Sequence, residues 1–227
     1  MKKHLSILFV LVSLIPAISL AWTSRGNGGN VVVCGDKISG FYDRIELELR
    51  YSGLVDKTDI REFPHFKYSV YPQQVAFDYL QRLKSINESL YQELVGYVAT
   101  FYVQAVFVNG YFPKSIDDSG VAVVPEANCT LEQVIVQKRV FMPTNTLYTI
   151  SVKYWDSLSL TDQAAAILHE VIYRAVLTRY PEAGSSEGVR VLNSLILSNH
   201  LKNIDPTRVN SFIEALLQGQ DTPSIDY

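Results

Sequence analysis

The apolar positions of this chain change their spacing several times, and each change predicts an element. Between Leu160 and Val176 the period is helical. At about 100° per residue, Ala164, Ala165, Ile167, Leu168, Val171, Ile172, Ala175 and Val176 cover roughly half the circumference. Thr161 is the expected N-cap, with Asp162 in the first turn, where its charge meets the positive end of the helix dipole. His169, Tyr173, Ala166, Glu170 and Arg174 take the opposite side. A second helical stripe, Tyr79, Leu83, Ile86, Leu90 and Leu94, predicts a helix over 73–95, preceded by Pro72 and ended by Gly96.

Elsewhere the pattern is that of strands. Val31 to Cys34 is a short β-prone run, and Ile45, Leu47, Leu49 and Tyr51 alternate with Glu46, Glu48 and Arg50. That alternation predicts a half-buried strand, with a short helix as the competing assignment. Thr100 to Val108 is almost wholly apolar and predicts a central strand ended by Asn109-Gly110. Val121 to Val124, Leu131 to Gln137 and Leu147 to Tyr154 are further strand candidates. Asp117-Asp118-Ser119-Gly120 is a turn cluster without the ligand alternation of a calcium loop. Ser185 or Ser186 can cap a helix bearing Val189, Leu192 and Ile196. A last helix has Asp205 as N-cap, Pro206 at the first position, a Val209, Phe212, Ile213 and Leu216 stripe, and Gly219 as its stop. The fold class expected is α+β. Its sheet is mainly antiparallel, a long helix precedes most of the strands, and the C-terminal half is helical.

The first residues carry an address rather than a fold. Lys2 and Lys3, the apolar run Leu5 to Leu14 and the small-x-small Ser19-Leu20-Ala21 predict a signal peptide over 1–21, with a single α+β domain over 22–227. The run is short against the roughly 20 residues of a bilayer span, and Pro16 interrupts it, so no stable membrane anchor is expected after cleavage. Periplasm or extracellular space is the expected location. There the only two cysteines, Cys34 and Cys129, should form a disulfide. The formal net charge of −3 becomes more negative without Lys2 and Lys3, and no Lys/Arg cluster argues for nucleic acid. Arg25-Gly26-Asn27-Gly28-Gly29-Asn30 lacks the Gly-Lys-Ser/Thr of a phosphate loop and reads as a lead-in to the first strand. Asn87-Glu88-Ser89 and Asn128-Cys129-Thr130 match the glycosylation triplet by chance in a chain with a bacterial-looking leader.

Candidate chemistry rests on His169, Glu170, Tyr173 and Arg174. His-Glu on a helix is half of the H-E-x-x-H signature, in which two histidines one turn apart bind zinc and the glutamate is the general base. Tyr173 stands where the second histidine would be. A zinc site using His169 would therefore need His200, Glu187 or His65 to converge on it, since a catalytic zinc takes three protein ligands. The competing expectation is scaffold: Glu170 and Arg174 as an ion pair at the core rim, and His169 hydrogen-bonded to a backbone carbonyl or Tyr173. A cysteine nucleophile using His169 is disfavoured by the expected disulfide.

Two motifs carry a resemblance. With Gly28-Gly29-Asn30-Val31-Val32-Val33-Cys34 near the start and Leu168-His169-Glu170-Val171-Ile172-Tyr173-Arg174 in the long helix, the chain resembles a group of uncharacterised exported proteins of predatory Gram-negative bacteria. The resemblance implies export and brings no activity with it. The His-Glu helix following a mixed sheet is similar, at His169 and Glu170 alone, to zincin-type metallopeptidases. These readings lead to an exported globular protein in a non-catalytic structural or binding role, of unknown partner and without a cofactor. The alternatives are a divergent metal-dependent hydrolase using His169 and Glu170, and a binding module that presents some of the chain's 14 tyrosines at a groove.

Overall fold

The computed structural model describes residues 24–25, 29–50, 71–110, 124–138, 146–181, 183 and 185–222. The expected signal peptide, the turn over 117–120, residues 121–123 and His65 lie outside them. Chain order is β1 (Ser24–Arg25), β2 (Asn30–Cys34), β3 (Lys37–Phe41), α1 (Tyr42–Arg50), α2 (Pro72–Leu80), α3 (Glu88–Thr100), β4 (Ala105–Val108), β5 (Cys129–Gln133), β6 (Ile135–Lys138), β7 (Tyr148–Ser151), α4 (Val152–Trp155), α5 (Leu160–Arg179), α6 (Glu187–Leu197) and α7 (Pro206–Leu217). The protein is α+β with a helical C-terminal half.

Two small sheets meet at a corner. One has the strand order β1-β6-β7-β4 and the other β3-β2-β5, and every pairing is antiparallel except β4 with β7. The chain changes sheet twice at the same place. β1 pairs with β6 and β2 with β5, while Gly29 lies between the first two strands and Val134 between the other two. The Gly29 carbonyl closes the corner by accepting from the amides of Val134 (2.7 Å) and Ile135 (3.1 Å). Cys34 and Cys129 sit opposite each other on β2 and β5 and form the disulfide.

α5 is the axis of the molecule and packs on α1, α2, α3, α6, α7 and β3. It is buried around nearly its whole circumference, Ala166, His169, Glu170 and Tyr173 included, and not on one half as the stripe predicts. A helix surrounded in this way needs partners for its polar side chains, because a buried polar group left unpaired costs about 1–3 kcal/mol. Its N-cap is Ser159, not Thr161: the Ser159 hydroxyl accepts from the Asp162 amide at 3.1 Å and donates to Asp162 Oδ2 at 2.6 Å.

Three other elements depart from the sequence pattern. Residues 42–50 form helix α1 and not a strand, because Tyr42, Ile45 and Leu49 also recur at helical spacing. The helix expected over 73–95 is two, α2 and α3, joined through a 3₁₀ turn at Gln81–Leu83; Asn87 caps the second by accepting from the Leu90 amide at 2.8 Å. The run over 100–108 is not a central strand. It holds the end of α3, a 3₁₀ turn at Tyr102–Gln104 and the edge strand β4. At the other end, Asp205 caps α7 by accepting from the Thr207 amide at 2.9 Å, as the sequence predicts.

Candidate functional site

α1, α5 and α6 press a set of polar side chains against one another inside the core. Asp43, in the first turn of α1, is fully buried and stands near the helix N-terminus, which favours a carboxylate. Its Oδ2 lies 2.7 Å from His169 Nδ1 on α5 and accepts from Asn193 Nδ2 on α6, also at 2.7 Å. The same Asn193 amide donates to the Ala165 carbonyl at 3.0 Å, and Ser194 Oγ donates to the Asp43 carbonyl at 3.1 Å. One turn along α1, Glu46 receives Arg190 Nε at 2.8 Å, a second buried ion pair. Arg190 also donates to Ser186 Oγ and lies 5.6 Å from the centre of the Tyr42 ring. Every charged member of this set has an opposite charge or an amide donor, as burial demands.

His169 and Glu170 face different neighbours. His169 is 0 % exposed, with Phe41 edge-on at 5.9 Å and Tyr173 tilted at 6.4 Å. Burial opposes a charge on its ring, but the Asp43 carboxylate beside it outweighs burial, so its pKa is raised above the ordinary histidine value. Glu170 points to the sheet corner. With the Gln137 side-chain amide of β6 turned so that its nitrogen faces α5, the orientation its neighbours demand, Glu170 Oε2 and the Glu170 backbone carbonyl accept from it at 3.1 and 3.0 Å. Glu170 Oε1 lies so close to Gly29 that a Cβ there would be 2.6 Å away. Among the described residues Glu170 is in no ion pair, and burial pushes its carboxyl up to about 7, with His169 opposing the rise and Asp43 adding to it.

The expected ion pair of Glu170 with Arg174 does not form. Arg174 turns toward β4, donates to Gln104 Oε1 at 2.7 Å and stacks over the Tyr97 ring at 3.9 Å. His169 bonds neither a backbone carbonyl nor Tyr173, but Asp43. Glu187 is exposed, His200 is half-buried in the 3₁₀ turn Asn199–Lys202, and His65 lies outside the described residues. Among the described residues, no group of three His, Cys, Asp or Glu side chains is placed to hold a metal ion. The Gly29 and Glu170 contact brings one residue from each of the two sequence motifs together.

No known family model, curated protein or solved structure matches the chain. The site's chemistry therefore rests on its geometry. A carboxylate on imidazole Nδ1 is the arrangement that orients a histidine for general-base work at Nε2. Here Nε2 is buried, without a hydrogen-bond partner among the described residues, and both cysteines are in the disulfide. In this conformation the pair joins α1 to α5 and exposes no reactive atom. Among the described residues, no helix is long and apolar enough to cross a membrane.

Sequence reasoning missed Asp43, Glu46, Arg190, Asn193 and Gln137. Glu46 was legible only as a polar position of a supposed strand from Ile45 to Tyr51, and Asp43 lay before it. Read as a helix, their i, i+3 spacing places them on one face, which was the available signal.

Proposed function

We propose that this is an exported protein, periplasmic or released from the cell, in a non-catalytic structural or binding role, and that its His-Glu helix is scaffold. The observation that carries this reading is the His169 ring, wholly buried and held through Nδ1 by Asp43 at 2.7 Å. A histidine so placed ties helices together, and a substrate reaches its free nitrogen only if the core opens. The Cys34–Cys129 disulfide is compatible with an oxidising compartment, and the resemblance to exported proteins points the same way. A binding role would fall to the surface near β4, where Val103 is 87 % exposed and Val106 and Phe107 are each 41 % exposed beside the Tyr102 and Trp155 rings.

The test is elemental analysis of the purified, oxidised protein without added chelator, paired with urea unfolding of His169→Ala. The expected result is no stoichiometric metal and a variant that unfolds at lower urea. Near-stoichiometric zinc that His169→Ala abolishes would overturn the scaffold reading and favour the metal-dependent hydrolase. Cell fractionation tests the location, with a mature chain starting at Trp22 expected outside the cytoplasm.

A further inference from the structure

Of the four buried acids named above, three have fixed cationic or imidazole partners. Asp43 has His169, Glu46 has Arg190, and Asp162 has Arg44 Nε at 2.8 Å. Glu170 is the fourth, and among the described residues its carboxyl is met by the Gln137 amide and by no cation. It sits against Gly29, where both strand pairs change sheet, so its carboxyl is a contact between the central helix and the corner.

We propose that Glu170 is a proton-operated latch: protonated, it lets the sheet corner close on α5, and ionised, it loosens the corner together with β2 and β6. The inference rests on reading His169 and Glu170 as scaffold. The groups that face Glu170 do little to hold a charge there. His169, next to it on α5, is engaged by Asp43, and Asp43 on α1 is itself an anion that repels a second one. Arg190 on α6 is held by Glu46, and Arg174 on α5 by Gln104 and Tyr97. β6 offers an uncharged amide, and Tyr148 on β7 is a neutral phenol held up by burial. The carboxyl is pushed up to about 7, above its ordinary 4.5. Its contribution to holding the corner is therefore complete in acid and is lost as pH rises through about 7. Between about 4.5 and 7, one proton linked to opening lowers the closed-to-open ratio by up to about tenfold per pH unit, and above about 7 the ratio levels off.

The experiment is amide hydrogen exchange of the full chain from pH 5.5 to 8.5, corrected for intrinsic exchange, with wild type and Glu170→Gln side by side. In wild type, protection in Asn30–Cys34 and Ile135–Lys138 should fall about tenfold between pH 5.5 and 7 relative to α7 and level off above pH 7. Glu170→Gln, which keeps the shape without the charge, should hold its protection across that range. A flat wild-type profile, or the same fall in Glu170→Gln, would overturn the latch. Should that variant fail to fold, infrared spectra of wild type decide. A buried protonated-acid carbonyl band lost near pH 7 supports the latch, and no such band overturns it. Zinc assayed on the same sample separates the two failures: metal bound at His169 defeats the scaffold reading, whereas a metal-free protein with a flat profile defeats the latch alone.

Discussion

Gly29 and Gly96 respond oppositely to one added methyl group. At Gly29 a Cβ would lie 2.6 Å from both Glu170 Oε1 and the Ile135 carbonyl, and neither the corner backbone nor the buried acid has room to retreat. Gly29→Ala should therefore destabilise the protein by about 1–3 kcal/mol, the usual cost of overpacking a core. At Gly96, exposed on α3, a Cβ meets nothing within 4 Å. Gly96→Ala should stabilise by about 0.5–1 kcal/mol through helix propensity. Urea midpoints of the two variants check both signs. Asp43→Ala should cost about 3–5 kcal/mol, because it strips a buried histidine of its acid partner and Asn193 of one of its two acceptors. His169 and Glu170 stood out in the sequence by residue type. Their partners did not, because Asp43 is 126 residues from His169 and 150 from Asn193.

Among the elements, α5, α7 and the strand ending at Cys34 were legible because the spacing of their apolar residues matches the element formed, although the cap of α5 is Ser159 and not Thr161. α1 was not. Its acids alternate with apolar residues, as on a half-buried strand, yet the helix buries Asp43 and Glu46 along with Tyr42 and Ile45. Arg190, Asn193 and His169, contributed by distant helices, help make that burial tolerable, and no local window contains them. The run at 100–108 misled in the other direction: its apolar residues suggested a buried strand, and Val103 is the most exposed of the large apolar side chains described. The α1–α6 pairing makes its own prediction. Arg190→Met alone should destabilise by about 3–5 kcal/mol by stranding Glu46, and adding Glu46→Met should recover much of that loss. Equal losses for single and double variants would show that the pair contributes packing and not charge.

Across the whole molecule the disulfide and the charges set the working range. Cys34 and Cys129 close a loop with a sequence separation of 95, and replacing both by serine should lower stability by about 4 kcal/mol, read from denaturant unfolding. His169 and Glu170 both hold their protons more tightly than free side chains do, so their contributions are present in acid and fade with rising pH. Glu93 behaves oppositely. Burial works against its charge, but the Arg179 and Tyr97 hydrogen bonds outweigh it and lower its pKa, so its contribution is present above about 4.5 and is lost in acid. Stability should peak at mildly acidic pH, and Glu93→Gln should flatten the acid limb in a thermal-unfolding series. The reach of the Asp43 contacts also bears on the order of events in a living cell. Asp43 is made early but finds its amide partner only when Asn193 has been made, 150 residues later. At roughly 5–20 residues per second, that is a wait of about 10–30 s, during which the first half of the chain cannot complete its core. A fragment ending before α6 should stay unfolded, and a nascent chain kept open for so long is in the state that threading through a membrane channel requires.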